Sequence, residues 1–293
     1  MKIGFIGLGR MGSEIAMRLM LAGQTLSVFD PDSRAAARLA AAGAVVAASV
    51  NELAAGSDVV ISMLPNDDVL REVALAPGGL VSALRPGAIH MVSGTHGVNA
   101  ISALAQAHRT AGQTLVACHV LGRPELAASG KLGLIPAGPE AAVNSLRPVF
   151  AAIGERVFDA GEDPLSATAV KVANNFILGC AIEAIGEGMA LVRKFGVEPL
   201  LFYQVLVNGL FDSTAYRMYG DLIALADWGR VGASATIGLK DAGLALEAAQ
   251  MARITLPSLS SWQNHLEQAV ARGEAHLDWS VMAREQFRAS GLE

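Results

Sequence analysis

Aromatic side chains make up only 5% of the chain and charged ones only 17%, against 52% apolar residues. So little charge excludes a disordered, self-repelling polypeptide. So few rings mean that the core is built from Ala, Val, Leu and Ile, whose small size lets helices approach closely. Cysteine is nearly absent: Cys118 and Cys180 stand far apart and imply no disulfide framework. A reducing, cytoplasmic compartment is expected. There is no long run of either charge sign, and the formal net charge is −5. The basic footprint of a nucleic-acid binder is missing. The six histidines show no metal-ligand spacing, so no metal is expected. A mean hydropathy of +0.41 raises the question of a membrane. The most apolar stretch, Asn174 to Leu191, is broken by Glu183 and Glu187, and no spanning helix or membrane partner is expected. The apolar N-terminus is interrupted by Arg10, Glu14 and Arg18 and does not read as a signal peptide.

What is present is an alternation. At 293 residues the chain suits two domains. Short strands are expected at Lys2 to Ile6, Thr25 to Phe29, Asp58 to Leu64, Ala88 to Ser93 and Thr114 to Ala117, with Ala-rich helices between them. Lys131 to Ala137 and Arg156 to Phe158 add strands at the far edge. Strands alternating with helices predict a parallel, doubly wound sheet. The pattern changes at Asp163-Pro164, a good N-cap followed by a good first helical residue. No proline interrupts from there to about Phe195, and at 1.5 Å per residue such a helix is roughly 45 Å long. Everything after it reads as helix. The expected fold is an α/β Rossmann domain over 1–162 followed by an all-α domain over 163–293, the latter opening on a long interdomain helix.

Gly7-Leu8-Gly9-Arg10-Met11-Gly12 follows the first strand and opens a helix. In this pattern Gly7 permits the tight turn, Gly9 lets backbone approach a pyrophosphate, and Gly12 lets helix pack on strand. The helix N-terminus offers free N–H groups and positive dipole to the phosphates. Asp30 ends the second strand, where a carboxylate accepts from the adenosine ribose hydroxyls. That favours NAD, because a carboxylate repels a 2′-phosphate. Ser33 and Arg34 lie just beyond and leave NADP open.

A second group of polar residues lies on the long helix. Lys171 sits in the otherwise apolar stretch Ala167 to Phe176, with Asn174 and Asn175 three and four residues later on the same face. Polar residues there cost free energy unless they face a cleft or find partners.

These motifs, in this order, resemble the β-hydroxyacid dehydrogenase family, which includes 3-hydroxyisobutyrate dehydrogenases and tartronate semialdehyde reductases, and the related imine reductases. The resemblance spans essentially the whole chain. It rests on the Gly7–Gly12 loop, Met63-Leu64-Pro65, Gly94-Thr95, Gly122, Lys171-x-x-Asn174-Asn175 and Lys240-Asp241. It implies that Met63, Leu64 and Pro65 lie beside the adenosine–ribose side of the cofactor and that Thr95 contacts the nicotinamide end. It implies that Lys240 reaches toward the nicotinamide, while Asp241 reads as structural. It makes Lys171 the acid–base residue, its ammonium hydrogen-bonding the substrate oxygen. Asn175, with Asn174 in the same network, would keep lysine or substrate in register. It also implies a homodimer packed around the long helix, or a tetramer. Ala181, Ala184 and Gly188 supply the small residues that close helix packing needs.

The chain departs from the family in its substrate loop. The family's Asp-Ala-Pro-Val-Ser-Gly-Gly is here Ala117-Cys118-His119-Val120-Leu121-Gly122-Arg123. Leu121 cannot hydrogen-bond a carboxylate, and Gly94 replaces a further serine. Arg123 either restores the lost donors or makes a surface ion pair with Glu125. His119 is a tempting acid or base, but a loop histidine is more often structural. The leading expectation is a dehydrogenase of a small β-hydroxyacid or its semialdehyde. An imine reductase, or a reductase of uncharged carbonyls, is the alternative. A dinucleotide-binding interaction protein without turnover is the third, and the lysine in an apolar helix argues against it.

Overall fold

The computed structural model describes residues 1–293, which form two compact units, Met1–Lys171 and Val172–Glu293. The first is built on eight strands: β1 (Ile3–Ile6), β2 (Leu26–Phe29), β3 (Val45–Val46), β4 (Val59–Ser62), β5 (Ile89–Val92), β6 (Thr114–Leu121), β7 (Leu132–Ala137) and β8 (Gly154–Val157). They lie in the order β3-β2-β1-β4-β5-β6-β7-β8. Every pairing is parallel except β6 with β7.

The near-continuous apolar character of β1 and β4 follows from burial on both faces of a parallel sheet. Successive side chains alternate between two cores. Ile3, Phe5, Ile61 and Met91 join one, with Ile15 and Leu19 of the helix Arg10–Leu21. Ile6, Val60 and Val92 join the other, with Leu53, Leu70, Ile101 and Leu104. The strand order reverses between β1 and β4, and ligands bind beyond the carboxyl ends of strands at such a switch point. Because β1, β4, β5 and β6 run parallel, the segments that follow each of them gather at one edge of the sheet.

Two expectations are corrected. The sheet is not parallel throughout: the chain between Leu121 and Leu132, with only the short helix Pro124–Ser129 in it, is too short for a parallel crossover, so β7 turns back against β6. β3 has no counterpart among the expected strands, because two exposed valines carry no periodic signal.

The helix that opens at Pro164 runs to Lys194. Its first turns pack with the first unit, where Ala167 joins a small core with Ala117, Ile135 and Ala137. The second unit is helical throughout. Its core gathers Ile182, Ile185 and Met189 of the long helix with Tyr219, Trp262, Trp279 and Phe287. By length and by a mean hydropathy of 1.5 the long helix meets the composition of a membrane span, a test that the core helix of a globular protein also meets. Glu183 is buried, accepting from Ser261 Oγ at 2.9 Å and standing 2.7 Å from His265 Nδ1. Gly188 faces its own chain: a Cβ there would meet the Phe202 ring at 3.1 Å.

Candidate active site

The first loop at the sheet edge follows β1. Gly7 has φ +90, a conformation that L side chains rarely adopt, and its N–H donates to Phe29 O at 3.1 Å. A Cβ on Gly12 would lie 1.9 Å from Gly7 O, so the turn and the helix start close together only because neither residue has a side chain. Gly9 is different: it is exposed, and a Cβ there meets nothing within 4 Å. The open space lies over the start of the helix Arg10–Leu21, which has no side-chain cap and no acid in its first turn. Its leading N–H groups include those of Met11 and Gly12. This arrangement suits a pyrophosphate.

Asp30, just after β2, is aimed at this loop. Its carboxylate accepts from Leu8 N–H at 2.7 Å and from Asp32 N–H at 2.9 Å. Arg34, just beyond, donates to Asp32 through two bonds of 3.0 Å. The dinucleotide therefore fits the residues present. Its nicotinamide, when bound, supplies or accepts the hydride.

The segments after β4 and β5 are tied together. Met63 is half-buried, Leu64 buried and Pro65 exposed. Gly94 lies against that segment: a Cβ on it would stand 2.6 Å from Leu64 O and 2.6 Å from His96 Nε2. The family's serine has no room at this position, which explains the departure seen in the sequence. Asp67 accepts from Gly97 N–H at 3.1 Å and holds His96 Nδ1 at 2.9 Å. It thereby caps the helix Val98–Thr110, whose own N-cap is a glycine without a side-chain acceptor. Burial opposes ionisation of Asp67, but the His96 ring and the Gly97 N–H outweigh it and hold the carboxyl below its usual range. Thr95, between these anchors, is partly exposed.

The segment at the end of β6 carries the remaining groups of the first unit. Lys171 Nζ donates to Val120 O at 2.9 Å. Leu121 is half-buried, and Gly122 is exposed with φ +142. Arg123 makes no ion pair with Glu125; its Nη2 is buried and has no acceptor. His119 is closed off from solvent, with Nδ1 2.7 Å from Gly94 O and Nε2 3.0 Å from Thr168 Oγ1.

In the second unit, Asn175 is buried and Asn174 exposed. Asn174 Nδ2 donates to Asn175 Oδ1 at 3.2 Å, and Asn175 Nδ2 donates to Asp241 Oδ2 at 2.8 Å. Lys240 Nζ lies 3.1 Å from Asp241 Oδ1. Asp241 is thus the joint of the group, linking the asparagines to Lys240, a part the sequence reading did not give it. Asp67, His96 and Thr168 were also missed. The one sequence clue was the position of His96 beside Thr95. No group of three or more His, Cys, Asp or Glu side chains is arranged to hold a metal ion.

A glycine turn before an uncapped helix, an acid at the end of the second strand and a lysine at the same sheet edge define a dinucleotide-dependent oxidoreductase. Residues 2–161 match the family described as the NAD binding domain of 6-phosphogluconate dehydrogenase. Residues 166–285 match the NAD-binding domain of NADP-dependent 3-hydroxyisobutyrate dehydrogenase. The uncharacterized oxidoreductase YfjR of Bacillus subtilis is 34% identical over 97% of this chain and 99% of its own. The NAD-dependent L-serine dehydrogenase of Pseudomonas aeruginosa is 32% identical over 97% of each chain. The Mycobacterium tuberculosis 3-hydroxyisobutyrate dehydrogenase solved with L-serine superposes with a TM-score of 0.88 at 28% identity, covering 97% of this chain and 98% of that one. An imine reductase from a Pseudomonas species shares the fold, with a TM-score of 0.61 at 20% identity over 97% of this chain and 98% of its own. The chain belongs to the β-hydroxyacid dehydrogenase family of NAD(P)-dependent oxidoreductases.

Proposed function

We propose that this enzyme interconverts a small 3-hydroxycarboxylate, of the size of L-serine or 3-hydroxyisobutyrate, and the corresponding semialdehyde or keto acid. The observation that carries the substrate class is Arg123. A guanidinium nitrogen buried without an acceptor is costly to leave so, and a substrate carboxylate supplies the acceptor in a charge-assisted bond. Leu121 then shapes the pocket rather than binding charge, and the exposed Gly122 leaves backbone open to the ligand. Lys171 is the acid–base residue. Its ammonium donates to the substrate oxygen during reduction, and as the neutral amine it removes the hydroxyl proton during oxidation. Val120 O holds that ammonium in place until substrate arrives. Asn175 and Asn174, through Asp241, fix the rotamer of Lys240, which we assign to the cofactor.

NAD is preferred to NADP in this reading, because Asp30 stands by the loop. Residues 1–162 serve the dinucleotide and 163–293 the substrate and dimerisation. The enzyme is a cytoplasmic homodimer, or a tetramer built from two such dimers, and takes neither nucleic acid nor membrane as partner. The dimer reading is supported by the exposed stripe Ile177, Ala184 and Leu191 on the long helix, continued by Phe195 at 80% exposure. Turnover with NAD on a panel of 3-hydroxyacids, neutral ketones and cyclic imines tests the reading. Activity on the acids is expected. Activity confined to cyclic imines would establish the alternative instead.

A further inference from the structure

His119 reaches both the carbonyl before Thr95 and the helix turn before Lys171. It lies on β6 with no solvent exposure. Gly94 O can only accept, so Nδ1 carries the hydrogen and donates to it at 2.7 Å. On the other side Nε2 lies 3.0 Å from the hydroxyl of Thr168, itself fully buried and within reach of Pro164 O at 3.2 Å. Thr168 precedes Lys171 by one helical turn, so both project from one face. Lys171 Nζ in turn donates to Val120 O, the carbonyl of the residue after His119. Two successive residues of β6 therefore grip two residues on one face of the helix, while the same imidazole grips the carbonyl before Thr95. The far end of that loop is fixed separately, by Asp67 on Gly97 N–H and His96.

We propose that His119 is a positioning residue that sets the Thr95 loop and Lys171 at a fixed separation, without itself touching substrate or cofactor. This rests on the assignment of Lys171 as the acid–base residue. In a close-packed interior an unsupported carbonyl and hydroxyl re-pair elsewhere and carry their backbone with them. A shift of about 1 Å at reacting atoms lowers turnover by up to ~100-fold.

The test uses full-length enzyme, with NAD and L-serine or 3-hydroxyisobutyrate, and three variants. His119→Leu removes both bonds, Thr168→Val removes one without changing shape, and His119→Gln keeps a donor and an acceptor. Expected for His119→Leu is a roughly 10- to 100-fold loss of kcat with the dissociation constant of NADH, read by its fluorescence, within about threefold. Thr168→Val should lose part of this in wild type and nothing further beside His119→Leu. His119→Gln should recover part of the loss. A merely structural histidine would lower Tm and leave kcat and its pH profile unchanged, and that result overturns the proposal. Crystal structures of the variants give an answer independent of turnover. Lys171 Nζ still on Val120 O and an unmoved Gly94 carbonyl in His119→Leu would also overturn it. If Lys171→Ala keeps full turnover, the acid–base reading fails; if only the His119 variants do, this inference alone fails.

Discussion

His90 Nδ1 stands 2.9 Å from His108 Nε2, with both rings closed off from solvent. The pair belongs to a chain that fixes every proton. Gln113 Nε2 donates to Val81 O and Leu84 O, so its Oε1 faces His108 Nδ1, 2.7 Å away, and must accept. With both rings in the neutral form, His108 Nε2 accepts from His90 Nδ1, and His90 Nε2 accepts from Ser62 Oγ at 2.8 Å. Burial disfavours the charged form of both imidazoles. Burial pushes His90 well below the usual histidine value, with His108 and His96 adding to it. Burial lowers His108 too, against the opposing bond to Gln113.

The unfolded imidazoles bind protons below about pH 6.5 while the folded ones resist. Stability from this pair is therefore full above that value and lost as pH falls below it. A group kept wholly neutral contributes about 1.4 kcal/mol less at about pH 5.5 than at about pH 7.5. His265 works the other way. Its bond to Glu183 raises it, so its contribution is present below about pH 6.5 and lost as pH climbs through the folded value. Urea unfolding of His265→Gln and of His265→Gln/His90→Gln at the two pH values reads the contribution of the buried pair as their difference. A difference that is the same at both would mean that the pair is not held neutral.

The glycines of the first loop are separable by mutation. Gly9→Val meets open space, so the free enzyme should keep its Tm but lose the increase given by NAD. At a hundred times its dissociation constant the cofactor adds about 2.7 kcal/mol in wild type. Gly12→Ala should destabilise the free enzyme itself, through contact with Gly7 O. Thermal scans with and without NAD check both; a full cofactor shift in Gly9→Val would misplace the phosphates.

Lys171→Ala should bind NADH normally and lose turnover by about 100-fold or more, the range for a positioned acid–base group. Lys171→Arg should rescue poorly, because a guanidinium hardly releases its proton. Stopped-flow reduction of NAD separates the chemical step from binding. Near-normal rates in Lys171→Ala would remove the lysine from the mechanism.

Arg123→Ala should raise KM for 3-hydroxyacids strongly, by about tenfold or more for a lost charge-assisted bond. Uncharged carbonyls should be affected little. Leu121→Ser should leave the acids bound at least as well as wild type. Equal effects of Arg123→Ala on charged and neutral substrates would place the carboxylate elsewhere.

Leu191→Glu puts a charge in the exposed stripe of the long helix, on a residue 61% exposed in the single chain. A dimer closing over it would have to bury that charge, which costs several kcal/mol per ion. Sedimentation should show dimer for wild type and monomer for the variant. A wild-type monomer at nanomolar concentration contradicts the assembly.

Much of the site was legible because its signals are local. The glycine spacing names its own turn, and Asp30 announces itself by ending a strand. The long helix is bracketed by Asp163-Pro164 at one end and Gly196 at the other. Helical spacing puts Lys171, Asn174 and Asn175 on one face, and the family resemblance, not the spacing, gives them their roles. Asp67 gave no such signal. After Leu64-Pro65 it reads as an ordinary acid in the first turn of a helix, yet it caps a different helix 30 residues on. Leu121 and Arg123 read equally well as a carboxylate site or as an apolar pocket, because sequence does not say whether Arg123 meets Glu125.

The alternation of strand and helix, the place of the dinucleotide loop and the start of the helical region are written in local sequence. Each depends on backbone preferences and side-chain periods that act within a few residues. Long-range packing sets the rest: β7 runs against β6, Gly94 lies tight against Leu64, and Asn175 meets Asp241 across 66 residues. Only it decided the protons of His90 and His108, since a histidine's charge is set by the dielectric and the partners that packing brings within about 3 Å.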